Sequence, residues 1–406
     1  MQNRFLEEIC FSKEFGRQMR FIAGPRQCGK TTLAKDFLLK NKSSDLYFNW
    51  DDKETRLSFL ANQHFFYDLI KKKHIKNPWI CFDEIHKSKN WKNFLKAHFD
   101  HYEKQINTIV TGGAKLDLFR RSGDSLAGRY FLFHLYPFSL SELNQRAVLK
   151  DSDLESLSFI ESRLDAKVSL NDSKQNLLHL LEYSGFPEPC ISGKKPFFRL
   201  WQKNYIEKLI YEDIRNLSNI KNLDAIFMLV KLLPDKVGNP LSINSIKEDL
   251  ELNHETVKTY LKYLNLLYVT FQIKPYSRKQ KYLVKKEEKL YFYDWTKIQD
   301  LSFRFENFIA CELLSLIGLW NDSGSADVDL NYLRQKNKKE ADFLILKEDK
   351  PWLMIEVKLS QTDIDPHLYT FSENLGGIPI IQIVLEGDSV IKKSKNSFVI
   401  PVYRFF

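Results

Sequence analysis

The chain has 406 residues, of which 43% are hydrophobic and 14% aromatic, and a formal net charge of +9. This length and apolar content are enough for about two to four domains with buried cores. No apolar run approaches a membrane span, and the charged start at residues 1–8 is unlike a signal peptide. We therefore expect a cytoplasmic protein without a membrane partner, and the basic excess favours a polyanionic one.

The five cysteines are scattered without the spacing of a metal site, at Cys10, Cys28, Cys81, Cys190 and Cys311. Such a pattern is typical of reduced, structural thiols in an intracellular protein.

A glycine-rich loop dominates the first third of the chain. Residues 24–31 have the sequence GPRQCGKT, which matches G-x-x-x-x-G-K-[ST]. A buried strand is predicted at 20–23 and a helix at 32–39, so the loop stands between them. Its N–H groups would face a phosphate, while Lys30 reaches the β- and γ-phosphates and Thr31 offers a hydroxyl to Mg²⁺. The predicted ATP-binding residues are Gly24, Pro25, Arg26, Gln27, Cys28, Gly29, Lys30, Thr31, Thr32 and Asp83.

Two carboxylates follow the apolar strand predicted at 79–82. A parallel strand would deliver Asp83 and Glu84 to the carboxyl edge of a sheet, beside the glycine loop. Asp83 would then hold Mg²⁺ together with Thr31, and Glu84 would polarise the water that attacks the γ-phosphate. The alternative is a solvated loop start, which the upstream loop makes a weaker explanation.

The first third alternates strands and helices. Strands are predicted at 20–23, 46–50, 79–82, 108–111 and 130–135, with helices such as 91–102 between them. This alternation predicts an α/β fold with a parallel sheet and helices on both faces. In the strand order of additional-strand ATPases, Thr111 would lie between the Glu84 strand and the loop strand. Thr111 is then a candidate γ-phosphate sensor, or else an ordinary strand-end threonine.

Several segments carry a family resemblance that spans almost the whole chain. The sequences are GPRQCGKTT at 24–32, FNWDD at 48–52, DEIHK at 83–87 followed by Trp91, SLAGRY at 125–130, PFSLSEL at 137–143, GFPEP at 185–189, KLYFYD at 289–294, EADF at 340–343 and IEVK at 355–358. Together they resemble bacterial and archaeal AAA+ ATPases whose C-terminal half was long catalogued as a domain of unknown function. The resemblance implies a homo-oligomer, specifically a hexamer. Residues 112–114 depart from it, because the family usually has Gly-Ser and a small polar residue there.

The resemblance also gives Arg129 a role. In AAA+ proteins an arginine just before the fifth strand commonly reaches the nucleotide of the neighbouring subunit, and hydrolysis then depends on assembly. Arg129 holds that place, Arg120 and Arg121 are weaker candidates, and a surface ion pair is the alternative for each.

Beyond residue 142 the pattern is helical. A lid or linker is predicted at 143–200 and a winged helix at 201–295, from helices at 224–233, 242–250 and 254–266 and strands at 268–273 and 289–293. The third helix would be the recognition helix, leaving Lys258, Tyr260, Lys262 and Tyr263 for DNA or solvent. The candidate nucleic-acid contacts are Lys258, Lys262, Arg278, Lys279, Lys281, Lys285 and Lys286. A solvated lysine-rich edge, or a winged helix that only joins proteins, is the alternative.

The final segment, 296–406, holds a second candidate site. Strands at 341–346 and 352–358 predict an antiparallel hairpin, and symmetry about Asp349 places Asp342 opposite Glu356. Lys358 shares the face of Glu356, so the group could bind Mg²⁺ and activate a water. This resembles the D…E-x-K core of restriction-endonuclease-like nucleases, with Glu306 matching an upstream helical glutamate and Ala341 replacing the usual proline. The predicted metal residues are Glu306, Asp342, Glu356 and Lys358, and the alternative is a domain that kept them without cutting.

These patterns predict an α/β protein with a P-loop NTPase (AAA+) core at 1–142, a helical lid, a winged helix and a restriction-endonuclease-like domain. We expect ATP and Mg²⁺ as cofactors, with Lys30, Glu84, Thr111 and Arg129 as the catalytic residues. The expected function is ATP-driven remodelling or translocation of DNA, with a metal-dependent nuclease activity as a further expectation. The alternative is a nucleotide-gated switch or scaffold in a defence or regulatory assembly, with a C-terminal domain that does not cut.

Overall fold

The computed structural model describes residues 4–113, 126–146, 154–166, 168–214, 222–277 and 287–406. The chain forms two compact units, Met1–Tyr136 and Pro137–Phe406, which we call unit 1 and unit 2. Within the described ranges, no helix combines the length and the apolar character needed to cross a membrane.

Unit 1 is built on a five-stranded sheet. Its strands are β1 (Met19–Ala23), β2 (Tyr47–Asn49), β3 (Trp79–Asp83), β4 (Asn107–Thr111) and β5 (Tyr130–His134), in the order β2-β3-β4-β1-β5. All pairings are parallel, which confirms the predicted parallel sheet. Because β4 lies between β3 and β1, Thr111 has the position that its proposed role requires.

The helices of unit 1 pack on this sheet largely through aromatic side chains. They are α1 (Phe5–Cys10), α2 (Lys30–Lys40), α3 (Lys53–Ala61), α4 (Phe65–Lys73) and α5 (Trp91–Tyr102). Phe66 of α4 and Phe94 of α5 are buried against Phe82 of β3, with ring centroids 5.7 and 5.4 Å away. Edge-to-face contacts of this kind add to the free energy gained from burial of the rings.

Unit 2 begins with helices. They are α6 (Leu140–Leu143), α7 (Ser156–Asp165), α8 (Leu170–Tyr183), α9 (Pro187–Ser192), α10 (Lys195–Lys208), α11 (Leu223–Leu232), α12 (Ile243–Asp249) and α13 (His254–Leu266). The first of them starts with a capping box, in which Ser139 accepts a hydrogen bond from the Glu142 N–H and the Glu142 side chain accepts one from the Ser139 N–H.

In the described residues from 270 onwards, unit 2 forms an eight-stranded sheet with three α-helices. The strands are β6 (Thr270–Pro275), β7 (Lys289–Phe292), β8 (Val328–Arg334), β9 (Glu340–Lys347), β10 (Lys350–Lys358), β11 (Ile380–Val384), β12 (Ile391–Ser394) and β13 (Ser397–Pro401). Their order is β12-β13-β11-β10-β9-β8-β6-β7. The helices are α14 (Leu301–Ser323), α15 (Pro366–Asn374) and α16 (Val402–Phe405).

The predicted hairpin and its register are confirmed. Strands β9 and β10 pair antiparallel, with a bulge between Pro351 and Leu353. Beyond the bulge, Phe343 is paired with Ile355. Continuing that register by one residue places Asp342 opposite Glu356, as the symmetry about Asp349 predicts.

The predicted winged-helix segment contains the expected three helices and an antiparallel pair, β6 with β7. Strand β6 also pairs in parallel with β8 through Lys274 and Asn331, so this pair extends the eight-stranded sheet across residue 296. Tyr260 of α13 was predicted to face DNA or solvent, which is wrong. Its ring is buried, and the hydroxyl lies 3.5 Å from the Asn222 carbonyl.

Candidate functional site

Close backbone contact defines the start of the glycine loop. Gly24 follows β1 with φ of 140°, and a Cβ at this position would lie 2.2 Å from the Leu135 carbonyl oxygen. Only glycine avoids that collision. At the other end of the loop, Gly29 adopts φ of 100° and caps α2, whose first free N–H groups follow it.

The ammonium of Lys30 is folded back over its own loop. Its Nζ donates to the carbonyls of Gly24 at 3.0 Å and Pro25 at 2.6 Å, and lies 3.8 Å from the Cys28 sulfur. The carbonyl partners are neutral and the side chain is nearly buried. The positive charge is therefore not cancelled by a carboxylate in these contacts, and suits a phosphate.

Three hydroxyl groups converge on the carboxylate of Asp83 at the end of β3. Thr31 of α2 donates to Oδ2 at 2.9 Å, Tyr47 of β2 donates to the same oxygen, and Thr111 of β4 donates to Oδ1. The glycine loop, the acidic strand end and the candidate sensor are thus brought together as predicted. A buried carboxylate and a neighbouring threonine hydroxyl are oxygen ligands that suit Mg²⁺.

Sequence reasoning missed Tyr47. Its hydroxyl lies beside Asp83 because Asn49, two residues along β2, pairs with Asp83 in the sheet. Burial and the hydrogen bond to Asp83 raise the pKa of Tyr47 well above its usual range, so it remains a donor at neutral pH. A tyrosine two residues before a strand end was the available signal.

Glu84 occupies a strained position directly after Asp83. Its φ is 56°, and its N–H donates to the Thr111 carbonyl at 2.9 Å. The carboxylate lies 3.3 Å from His86 Nε2 and 3.7 Å from Lys87 Nζ. Burial raises the pKa of Glu84, which brings this carboxylate closer to the basicity that a general base requires.

Arg129 lies at the amino ends of the strands, whereas the glycine loop lies at their carboxyl ends. Its carbonyl accepts from the N–H of Met19, where β1 begins. The guanidinium binds both carboxylate oxygens of Asp100, at 2.7 and 3.0 Å. Within its own chain Arg129 is therefore an ion-pair partner, and its role in a neighbouring subunit stays a prediction. Arg120 and Arg121 lie outside the described residues.

In unit 2 two of the predicted metal residues, Glu306 and Asp342, contact a buried lysine that sequence reasoning had given no role. Glu340, which was not predicted, is its third carboxylate partner. The Nζ of Lys289 lies 3.3 Å from Glu306, 3.1 Å from Glu340 and 3.5 Å from Asp342, and its side chain is fully buried. We call Lys289 and these three carboxylates the lysine-centred cluster. Burial lowers the pKa of Lys289, but the carboxylates outweigh burial and the net shift is upward.

The remaining predicted residues are paired beside this cluster. Lys358 donates to Glu356 Oε1 at 2.7 Å, and the N–H of Val357 donates to Asp342 at 2.9 Å. Burial raises the pKa of Glu356 to about 8 and that of Glu306 to about 7. Across the described residues, no group of three or more histidine, cysteine or acidic side chains is arranged to hold a metal ion.

The predicted nucleic-acid residues divide into two groups. Lys258 and Lys262 lie exposed on α13, and Lys258 contacts Glu255 at 3.1 Å. The others fall outside the described residues: Arg278, Lys279, Lys281, Lys285 and Lys286. The interface with DNA stays a prediction.

Comparison with protein families divides the chain in three. Residues 16–144 match an AAA domain. An AAA+ ATPase domain is thus supported. Residues 174–296 match one domain of unknown function (DUF8612), and residues 302–405 match another (DUF4143). Neither match tests the winged helix or the nuclease-like domain.

Two archaeal proteins of Methanocaldococcus jannaschii are similar to the chain. Uncharacterized protein MJ1544 is 25% identical over 382 residues, which are 91% of this chain and 81% of that protein. Uncharacterized protein MJ1637 is 27% identical over 304 residues, which are 68% of this chain and 60% of that protein. The similarity to MJ1544 covers both units.

Among solved structures, the chain is similar to the ORC1 protein of Aeropyrum pernix in complex with DNA. The identity is 15%, the TM-score is 0.29, and the alignment covers 78% of this chain and 90% of that one. A TM-score this low supports no inference about the present protein.

Proposed function

We propose that the protein is a Mg²⁺-dependent ATPase that acts on DNA as a homo-oligomer, specifically a hexamer. The observation that carries the ATPase proposal is the contact of Asp83 with Thr31 of the glycine loop at the carboxyl edge of a parallel sheet. The AAA domain match over the same residues supports it.

Each side chain of this site has a distinct role in the proposal. Lys30 exchanges its loop carbonyls for the β- and γ-phosphates, and Thr31 and Asp83 hold Mg²⁺. Glu84 orients and polarises the attacking water, and Thr111 senses the γ-phosphate next to it. Bound Mg²⁺ supplies the charge that neutralises the phosphate oxygens during transfer.

Two substitutions separate binding from chemistry. Lys30→Ala should abolish ATP binding, whereas Glu84→Gln should keep it and lower turnover by about 10²–10⁴-fold. Binding is measured with a fluorescent ATP analogue and turnover by phosphate release. Parental turnover in Glu84→Gln would remove Glu84 from the chemical step.

Action on DNA rests on the net charge of +9 and on the exposed lysines of α13. Replacing Lys258 and Lys262 by glutamine should flatten the slope of log K against log salt by up to about two units. Neutralising Lys279, Lys281, Lys285 and Lys286 should flatten it by up to about four units. An unchanged slope in both variants would exclude these two surfaces as DNA contacts. Stimulation of ATP hydrolysis by DNA would support a motor function.

The C-terminal domain offers a choice between two functions. The register of Asp342, Glu356 and Lys358 fits a nuclease whose cutting depends on Mg²⁺. The contacts of Lys289 with Glu306 and Asp342 favour instead the nucleotide-gated switch or scaffold, in which this domain does not cut.

Cleavage assays decide between them. The parent protein, with ATP and Mg²⁺ or Mn²⁺, should cut linear, forked or branched DNA or RNA no more than an Asp342→Ala, Glu356→Ala control. Cleavage above this control would establish the nuclease. Loss of cleavage in that variant with intact ATP turnover would then place the two activities in separate sites.

A further inference from the structure

Three carboxylates from two elements of unit 2 meet at one buried ammonium. Glu340 and Asp342 lie on the same face of β9, and Glu306 reaches them from α14. Lys289 Nζ lies 3.1 to 3.5 Å from an oxygen of each. Its own strand supports the arrangement, because Tyr291 lies on the same face of β7 and donates to Glu306 at 2.8 Å.

The surroundings hold the ammonium in place. An ammonium has three N–H groups, and three carboxylates can accept them. Arg334 binds Glu340 at 2.6 Å from the outside, and the Tyr332 ring lies 5.6 Å from Nζ. Withdrawing Lys289 would leave buried carboxylates without their cation, which is costly in a poorly solvated interior.

In the predicted metal pair, an ammonium group contacts one oxygen of each carboxylate. Asp342 faces the ammonium of Lys289, and Glu356 binds the ammonium of Lys358 at 2.7 Å. Glu356 Oε2 has no hydrogen-bond partner among the described residues, but Asp342 Oδ1 faces Lys289 and its Oδ2 accepts from the Val357 N–H. A divalent cation at Asp342 would therefore have to displace one of these two contacts. Among the three carboxylates of the lysine-centred cluster, Mg²⁺ would need oxygens at about 2.0–2.1 Å, in the space that Lys289 Nζ now occupies.

We propose that Lys289 is a built-in cation of the C-terminal domain, whose ammonium takes the place of a divalent metal among Glu306, Glu340 and Asp342. The domain then keeps the nuclease-like arrangement but excludes Mg²⁺ from it. This inference deepens the proposed function of a domain that does not cut, and it does not depend on the ATP site.

The test is a Mn²⁺ titration of the full chain without nucleotide, in which electron paramagnetic resonance reports the free ion. The parent and an Asp342→Asn variant should bind the same number of Mn²⁺ ions. Lys289→Met should bind one additional Mn²⁺ per chain, and adding Asp342→Asn should remove it. ATP is absent, so failure here would leave the Glu84→Gln test of hydrolysis untouched.

A matched control exists in the same unit. Lys297 is a half-buried lysine, and its one ion pair among the described residues is with Asp294, at 3.7 Å. Lys297→Met should therefore gain no Mn²⁺. A gain equal to that of Lys289→Met would show that removing any ion-paired lysine creates binding, and would overturn the proposal.

A second variant addresses folding. Lys289→Met with Glu340→Gln removes one negative charge with the positive one, and should fold and gain Mn²⁺ even if the single variant does not. A folded variant that gains no Mn²⁺ overturns the proposal. If neither Lys289 variant folds, the comparison of the parent with Asp342→Asn is the test. A Mn²⁺ ion that the parent binds and Asp342→Asn does not bind would also overturn the proposal.

Discussion

Each unit of the protein buries a lysine at its candidate site, but the partners of the two ammonium groups differ. Lys30 of unit 1 contacts the neutral carbonyls of Gly24 and Pro25. Lys289 of unit 2 contacts three carboxylates. The first charge is solvated by its loop without being cancelled, whereas the second is neutralised within the fold.

This difference separates a binding residue from a structural one. A phosphate can replace two carbonyls with a gain in Coulomb energy, because the carbonyls carry no net charge. No anionic ligand gains by replacing the carboxylates around Lys289, since their negative charge already balances that of the ammonium. Burial of a lysine is therefore informative only together with the charge of its partners.

The largest expected effect tests whether the site in unit 1 is complete within one chain. Arg129→Ala should bind ATP normally and hydrolyse it about a thousandfold or more slowly, because an arginine supplied to a neighbouring site stabilises the transferring phosphoryl group. Mixing it with Lys30→Ala should restore part of the rate. Phosphate release from the mixture is the measurement, and no rescue despite proven co-assembly would argue against a residue acting between subunits.

The second prediction compares the two lysines directly. Lys289→Met should lower the free energy of unfolding of unit 2 by about 3–5 kcal/mol, because it leaves buried carboxylates without their cation. Lys30→Met should cost unit 1 less, about 1–3 kcal/mol, because its lost partners are neutral carbonyls. Urea denaturation followed by circular dichroism gives both values, and equal losses would remove the distinction drawn here between the sites.

A third prediction concerns His98, a buried side chain that stays uncharged in the folded protein at neutral pH. Burial lowers the pKa of His98 to about 3, below the 6.5 of the unfolded chain. The unfolded state therefore takes up its proton first as the pH falls, and the stability of unit 1 declines below pH 6.5. The loss should be about 2 kcal/mol between pH 7 and pH 5.

Replacing the histidine isolates this contribution. His98 Nε2 lies 2.9 Å from the Thr108 hydroxyl, so His98→Gln keeps a polar group there without a titrating one. The urea midpoint of unit 1 should then change less between pH 7 and pH 5 than in the parent. Identical changes would assign the pH dependence to other groups.

The smallest effect concerns Tyr47. Removing its hydroxyl in Tyr47→Phe takes one of three donors from Asp83, a loss of about 1.5 kcal/mol. The Mg²⁺ concentration for half-maximal ATP hydrolysis should rise about tenfold, with a smaller change in the maximal rate. Tyr67→Phe is the control, because its hydroxyl lies 3.5 Å from Gln105, away from Asp83. An unchanged Mg²⁺ requirement would make Tyr47 structural only.

Local patterns predicted much of both sites. The glycine loop, the acidic strand end and the hairpin register each depend on residues close in sequence, and the structure has all three. The contact of Lys289 with Asp342 joins residues 53 positions apart, and no periodicity within either segment indicates it. The prediction for Tyr260 was wrong because the helical pattern identifies one buried face of α13. It does not indicate that another segment also covers the opposite face.

Gly185 shows how the distant parts of unit 2 depend on one another. A Cβ there would lie 2.5 Å from the Phe138 carbonyl oxygen and 2.8 Å from the Trp295 ring, and the Phe138 N–H donates to the Gly185 carbonyl at 2.6 Å. Segments near residues 138, 185 and 295 thus meet at one point. On the ribosome, this junction cannot close until Trp295 has left the exit tunnel. Closing such long loops is slow, so we expect unit 1 to fold during synthesis and unit 2 to fold late.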